Sequence, residues 1–279
     1  MLNFFSKKNN YKFLLIGPGQ MGAKHSLEFI KLKNKLSLVY SPNKIKNEYF
    51  EKFNCTKNLR DLYNLSDIDF GIISSPNAIH YENLKLLLSH NKFAFVDKPF
   101  LLSFKDLENL FLEFPDMANK CFVAFNLRYE PSVDFLKSIL EDKSLGKLHR
   151  IEAKWKRSIV KDENTWYMNK NLSGGGILID WGVHVIDLII YITGENFDFI
   201  NVFNKKSQHG IENELGIELL SKTGINLVVD LSWLAKSKED ENPLEIEFIF
   251  KNNRFKWKKS GQIRNSNSGK IKNFQAGTN

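Results

Sequence analysis

The chain has 279 residues, 42% hydrophobic and 26% charged, with 23 Phe against 7 Pro. These proportions exclude a disordered chain and allow one large or two ordinary folded domains. The net charge of +8 resides wholly in residues 251–279, where eight Lys and Arg stand without an acid. That placement, with no nucleic-acid-binding motif, argues against a nucleic-acid partner.

In chain order, Lys12–Gly17 reads as a buried strand, 21–33 as a helix, and 37–40 with its lead-in as a second strand. A helix over 45–53, a strand over 68–75, a helix over 78–90, a strand over 93–97, a helix over 104–114 and a strand over 121–126 follow. Apolar strands without alternation, separated by helices, predict a parallel sheet covered on both faces. That is the doubly wound, Rossmann-type α/β plan, expected over residues 1–122.

From residue 123 the pattern changes to α+β. A helix is expected over 131–146, ending at Gly146, and a strand over 148–159. A further strand with its turn is read over 216–224. Ile225, Leu227, Val229, Leu231 and Trp233 alternate as one face of another strand. Residues 244–259 read as a hairpin turning at Asn252-Asn253, pairing Phe250 with Phe255, Phe248 with Trp257 and Glu247 with Lys258. An open, mainly antiparallel sheet with helices on one side is expected over 123–279. The basic end from about residue 260 reads as a solvated, poorly ordered tail.

Cys55 and Cys121 have no metal-type spacing and fit a reducing compartment. The start, MLNFFSKKNN, has too short an apolar stretch for a signal peptide. The longest apolar run is broken by Asp180 and His184, so no membrane span is expected. A cytoplasmic protein without a metal site is the resulting expectation.

The first strand runs into Gly17-Pro18-Gly19-Gln20-Met21-Gly22 and then a helix. In that context the three glycines allow a tight turn, close approach of a pyrophosphate and close helix–strand packing. The helix N-terminus faces the phosphate charge. After the second strand the ribose-binding acid is missing. Ser41 and Lys44 stand there instead, which favours NADP over NAD.

Between Ile177 and Ile192 an apolar segment carries Asp180, His184, Asp187 and Tyr191 at i, i+4, i+7 and i+11. That spacing stacks them on one face of a helix. His184 suits proton transfer, because an imidazole titrates near neutrality. Asp180 can orient it or grip a substrate hydroxyl, whereas Asp187 reads as a packing residue. His25, on the first helix, is read as structural or as a neighbour of the cofactor.

GPGQMG, SSPNAIHYE (74–82), VDKP (96–99), NLRYEP (126–131) and GGGILIDWGVHVID (174–187) occur in an order and spacing that resemble the glucose–fructose oxidoreductase / inositol dehydrogenase / MocA family. The likeness covers about 250 residues. It implies a Rossmann domain followed by a substrate domain with an open sheet, through which many members dimerise. Asp97-Lys98-Pro99 stands where the family has Glu-Lys-Pro, so Lys98 matches the catalytic lysine, and Asp180 and His184 match the substrate-side Asp and His. The resemblance places Ser75, Asn77 and His80 near the nicotinamide end of the cofactor. It places Arg128, Tyr129, Trp166 and Tyr167 at the substrate, with Tyr167 standing where many relatives have Arg. The chain also stops earlier than most relatives.

The resulting expectation is an NAD(P)-dependent oxidoreductase acting on a sugar, nucleotide sugar or cyclitol as a homodimer or higher homo-oligomer. Two alternatives remain open. One is a non-catalytic, nucleotide-binding regulator of the same fold; the other is a reductase of an imine or tetrapyrrole-like substrate.

Overall fold

The computed structural model describes residues 10–158, 165–208, 210–234 and 242–275. Two compact units emerge. The first runs to Ala124 and includes Asn171–Gly174; the second comprises Phe125–Lys170 and the chain from Gly175. The sequence places the boundary between residues 122 and 123.

In the first unit the elements are β1 (Lys12–Ile16), α1 (Gln20–Lys31), β2 (Lys35–Tyr40), β3 (Cys55–Thr56), β4 (Phe70–Ile73), α2 (His80–Ser89), β5 (Phe93–Val96), α3 (Phe104–Glu113), α4 (Met117–Lys120) and β6 (Cys121–Val123). All strand pairs are parallel, in the order β3-β2-β1-β4-β5-β6. The order reverses between β1 and β4, so the crevice at their carboxyl ends is the ligand position of a doubly wound sheet. Phe13 and Leu15 of β1 pack with Ala23 on one face; Leu14 and Ile16 pack with Leu84, Leu87 and Leu110 on the other. Burial on both sides is why the strand shows no alternation.

The helix expected over 45–53 contracts to a 3₁₀ turn, Glu48–Phe50. Asn47 caps it by accepting the Tyr49 N–H at 3.0 Å, and Phe50 is fully buried. Its rings pack into a cluster of Tyr49, Phe50 and Phe53 rather than onto a longer helical face.

The second unit contains α5 (Val133–Glu141), β7 (Leu148–Lys156), α6 (Lys170–Ser173), α7 (Val183–Thr193), β8 (Phe197–Gln208), β9 (Ile211–Ser221), β10 (Asn226–Ser232), β11 (Asn242–Phe250), β12 (Arg254–Lys258), β13 (Gln262–Asn265) and β14 (Ile271–Asn273). The last three residues of α6 belong with the first unit. The sheet order is β14-β13-β12-β11-β7-β10-β9-β8, antiparallel except for β7 against β10. Leu136 of α5 and Val185, Leu188 and Ile189 of α7 pack with Ile151, Leu227, Val229 and Ile246 on one side of it.

Three expectations are corrected here. The helix over 131–146 stops at Glu141, and a 3₁₀ turn, Lys143–Leu145, leads to Gly146 at φ +76°. The hairpin turns one residue earlier: Phe250 N–H bonds Asn253 O at 2.9 Å, and Phe248 faces Phe255 instead of Trp257. Lys258 therefore pairs with Glu245, at 2.7 Å, and not with Glu247. The cause is non-local: Lys147 O and Leu145 O accept the N–H groups of Lys251 and Asn252 at 3.0 and 3.2 Å. The chain beyond residue 260, expected to lack order, forms β13 and β14. The rest of the tail expected to lack order, residues 276–279, lies outside the described residues, as do most of MLNFFSKKNN and the last residue of the strand expected over 148–159.

By length and composition the 24 residues Lys170–Thr193 are apolar enough to cross a membrane. Here Val185, Leu188, Ile189 and Ile192 are spent on the core of the second unit.

Candidate active site

The glycine turn leaves β1 with Gly17 N–H bonded to Tyr40 O at 3.1 Å and φ at +93°. A Cβ on Gly17 would stand 2.5 Å from Ser74 O, and one on Gly22 would stand 2.3 Å from Gly17 O. The fold itself demands these two glycines. A Cβ on Gly19 would meet nothing within 4 Å, so packing does not explain its bare backbone. Gly19 is the N-cap of α1, with no side-chain cap and no acid in the first turn. Gln20 and Met21 are exposed. An uncapped helix start with space in front of it fits a pyrophosphate, held by the first backbone N–H groups and the helix dipole.

Ser41 and Lys44 follow β2 directly. Ser41 Oγ accepts the Asn43 N–H at 3.3 Å, and Lys44 is exposed. Both stand at the carboxyl end of the sheet, as expected. A depression of about 1030 Å³ lies at the other end, beside the start of β1 and β2, lined by Lys12, Lys35 and Tyr49 among others. It is remote from the glycine turn and shares none of its residues.

The loops after β4 and β5 follow at the same end of the first unit's sheet. Ser75 Oγ accepts from Asn83 Nδ2 at 2.9 Å, and Asn77 Nδ2 donates to Ser173 O at 2.8 Å. His80 has no exposed surface. Its Nδ1 lies 2.9 Å from Pro99 O and its Nε2 3.0 Å from Ser75 O. The ring expected at the cofactor is thus enclosed by backbone carbonyls on both nitrogens. Lys98 is half-buried at the turn after β5. Neither cysteine offers a neutral-pH nucleophile: burial pushes the Cys121 thiol up to about 12 and raises that of Cys55.

In the second unit the helix begins differently from its sequence pattern. Leu178–Gly182 form a π-helical turn, and regular α7 starts only at Val183. Such turns hold one residue more than an α-turn and recur at functional sites. The N-terminus is capped from β9: Glu212 Oε1 accepts Gly176 N–H at 2.9 Å and Leu178 N–H at 3.4 Å. Gly176 has no room for a side chain, since its Cβ would meet Glu212 O at 2.2 Å.

The polar stripe then divides. Asp187 takes a two-pronged ion pair from Arg128, with Nε to Oδ2 at 2.8 Å and Nη2 to Oδ1. The guanidinium also faces the Phe125 and Tyr191 rings at 5.4 and 5.0 Å. Lys137 Nζ stands 3.5 Å from the Tyr191 ring centre. The bond to Asp187 raises the already high pKa of Arg128 further. Asp187 thus has the packing role expected of it. Arg128, expected at the substrate, spends two of its N–H groups on this internal pair.

Asp180 and His184 occupy the earlier part of the helix, both half-buried. Between them Trp181 stacks on Trp155 at 4.5 Å and 15°, and meets Trp233 edge-on at 6.3 Å. Phe125 stands edge-on to His184 at 6.2 Å. Tyr129 is exposed, and Trp166 meets Tyr167 edge-on at 5.9 Å in the 3₁₀ turn Trp166–Met168.

Sequence reading missed three participants: Glu212 as helix cap, Arg128 as partner of Asp187, and Asp97 as partner of His25. Their partners lie 36, 59 and 72 residues away, beyond any periodic signal.

Comparison with known proteins agrees with this architecture. Residues 11–125 match the model of the oxidoreductase family with an NAD-binding Rossmann fold, and residues 133–255 match the GFO/IDH/MocA C-terminal domain. Glucose-6-phosphate 3-dehydrogenase of Bacillus subtilis is 28% identical over 191 residues, covering 67% of this chain and 55% of that protein. Levoglucosan dehydrogenase of Pseudarthrobacter phenanthrenivorans is 26% identical over 204 residues, covering 67% and 52%. The chain spans about half the length of the curated relatives it matches.

Among solved structures, levoglucosan dehydrogenase with NADH and levoglucosan superposes at TM-score 0.81 and 20% identity, over 96% of this chain and 81% of that one. GenD2 from gentamicin A biosynthesis, in complex with NAD, superposes at 0.79 and 18%, over 90% and 72%. At these identities the superpositions speak for the fold. Both halves of the sequence match one family in the right order, and both sheets have the matching architecture, so the chain belongs to the GFO/IDH/MocA oxidoreductase family.

Proposed function

We propose that the protein is an NAD(P)-dependent dehydrogenase that interconverts a secondary alcohol and a carbonyl on a sugar, nucleotide sugar or cyclitol. The observation that carries this reading is the glycine turn, where Gly19 leaves open space before an uncapped helix start. When bound there, a nicotinamide dinucleotide supplies the hydride acceptor or donor. An imidazole nitrogen of His184 takes the hydroxyl proton in oxidation and returns it in reduction. Lys98 Nζ donates to the reacting oxygen and stabilises the negative charge that develops on it. The Asp180 carboxylate orients the His184 ring or holds a neighbouring substrate hydroxyl. Exposed Tyr129 and Trp166, with half-buried Tyr167, offer aromatic faces and hydroxyls to a sugar.

The test is a panel of aldoses, sugar phosphates, nucleotide sugars and inositols with NAD⁺ and NADP⁺, followed by absorbance of the reduced nicotinamide. Turnover of at least one member supports a dehydrogenase. Dinucleotide binding without turnover on any member points to a regulator. Ser41 and Lys44 favour NADP⁺, so its KM should lie about tenfold below that of NAD⁺, a difference of about 1.4 kcal/mol. Equal values, or a preference for NAD⁺, reject that assignment. The NADH and NAD complexes of the two neighbours make the comparison necessary.

The protein is read as a cytoplasmic homodimer. Support for the dimer comes from β8, an edge strand on which Phe199, Ile200, Val202 and Phe203 are 61%, 54%, 43% and 50% exposed. Apolar side chains gathered on one edge strand mark an interaction surface. Sedimentation should give a dimer that the double variant Phe199→Glu/Phe203→Glu converts to monomer. A monomeric wild-type protein rejects the assignment.

A further inference from the structure

Lys98 stands between two neighbours that are each tied to a different helix. On its amino side, Asp97 N–H bonds Ile73 O of β4 at 2.9 Å. The Asp97 carboxylate lies 2.7 Å from Nε2 of His25, and both side chains are more than four-fifths buried. His25 belongs to α1, three residues beyond Gly22. Its ring meets Phe95 of β5 edge-on at 4.9 Å, and Phe95 stacks on Phe122 of β6 at 5.3 Å. On the carboxyl side, Pro99 O accepts from the fully buried His80 of α2 at 2.9 Å.

We infer that His25, acting through Asp97, is a positioning residue for Lys98, with His80 bracing the other side of the same turn. A lysine has four side-chain torsions, and its ammonium is useful only if the backbone that launches it is fixed. The turn follows the end of β5, where the ladder no longer fixes the backbone in full. Two side-chain anchors replace it, His25 on Asp97 and His80 on Pro99. Because His25 rides on the helix that begins at the glycine turn, the dinucleotide-binding backbone and the lysine share one rigid mount. Nε2 donates its proton to the carboxylate, so a glutamine, whose amide nitrogen occupies a similar place, can reproduce the bond and leucine cannot.

The inference rests on Lys98 serving the reaction proposed above, and its test separates the two. The first arm needs no turnover. The rate at which acetic anhydride acetylates Lys98 in the full-length protein is followed by peptide mass spectrometry. His25→Leu should raise that rate several-fold while other lysines keep theirs, and His25→Gln should restore the wild-type rate. An unchanged Lys98 rate in a folded His25→Leu protein overturns the inference.

The second arm uses the best sugar from the panel. His25→Leu should lower kcat by about 100-fold, the order of cost for misplacing a group by ~1 Å, with the dinucleotide KM little changed. In a Lys98→Met background the same change should cost less than about twofold, since a residue that works through Lys98 has nothing left to position. Full additivity in the double variant overturns the inference and leaves the role of Lys98 standing. If Lys98→Met alone retains wild-type turnover, the proposed reaction role of Lys98 fails, and the acetylation arm still decides whether His25 positions it.

Discussion

Replacing His184 by alanine is expected to lower kcat by roughly 10²–10⁴-fold, the usual contribution of a positioned general acid–base, while the dissociation constant of the dinucleotide stays within about threefold. Asp187 and Tyr191 face Arg128, whereas His184 and Asp180 stand on the earlier part of the helix and are the imidazole and carboxylate proposed for the chemistry. Of these only the imidazole exchanges a proton readily near neutrality. The ring is half-buried against Phe125, so a melting curve must accompany the kinetics to separate lost chemistry from lost packing. A folded His184→Ala protein with near-normal kcat would move the proton-carrying role to another group. His184→Asn, which keeps a polar side chain of similar reach but cannot titrate, should remain as slow as alanine.

Lys98→Met should cost about 10²–10³-fold in kcat, the scale of losing one preorganised donor to a developing oxyanion. Methionine keeps most of the length and removes the charge, so the turn held by His25 and His80 should survive. Binding energy toward the ground state is little affected, and the loss belongs in kcat rather than in the dinucleotide KM. Lys98→Arg refines the reading: partial recovery shows that charge matters most, and none shows that the point geometry of an ammonium is required. Single-turnover kinetics under saturating dinucleotide provide the measurement. A Lys98→Met enzyme as fast as wild type removes Lys98 from the reaction.

The parallel sheet was legible because burial on both faces writes itself into composition: Phe13-Leu14-Leu15-Ile16 cannot alternate if every residue is inside. The glycine turn was legible because steric demand selects a residue type at fixed spacing. The two-layer second half was legible only in part. β10 shows clean alternation, whereas β8 has irregular register at three places and both faces largely exposed, so its sequence carries no period. The hairpin register slipped because two backbone groups from the segment before β7 claim the turn, which a local pairing rule does not contain. The same holds for the site. Asp180 and His184 were singled out by residue type and helical spacing and Lys98 by the family resemblance, whereas the contacts of His25 with Asp97, His80 with Pro99 and Glu212 with the helix start join residues far apart in the chain. The π-turn was invisible because a helical-face argument assumes a constant 3.6 residues per turn.

The unequal reasons for the three glycines bear on the history of such a chain. Selection for a folded protein alone holds positions 17 and 22, where any side chain strikes backbone. It is indifferent to position 19, where a side chain would enter empty space. A lineage that abandoned its nucleotide would therefore drift first at Gly19 and last at its neighbours. Gly19 is thus the one glycine of the three that folding alone does not require.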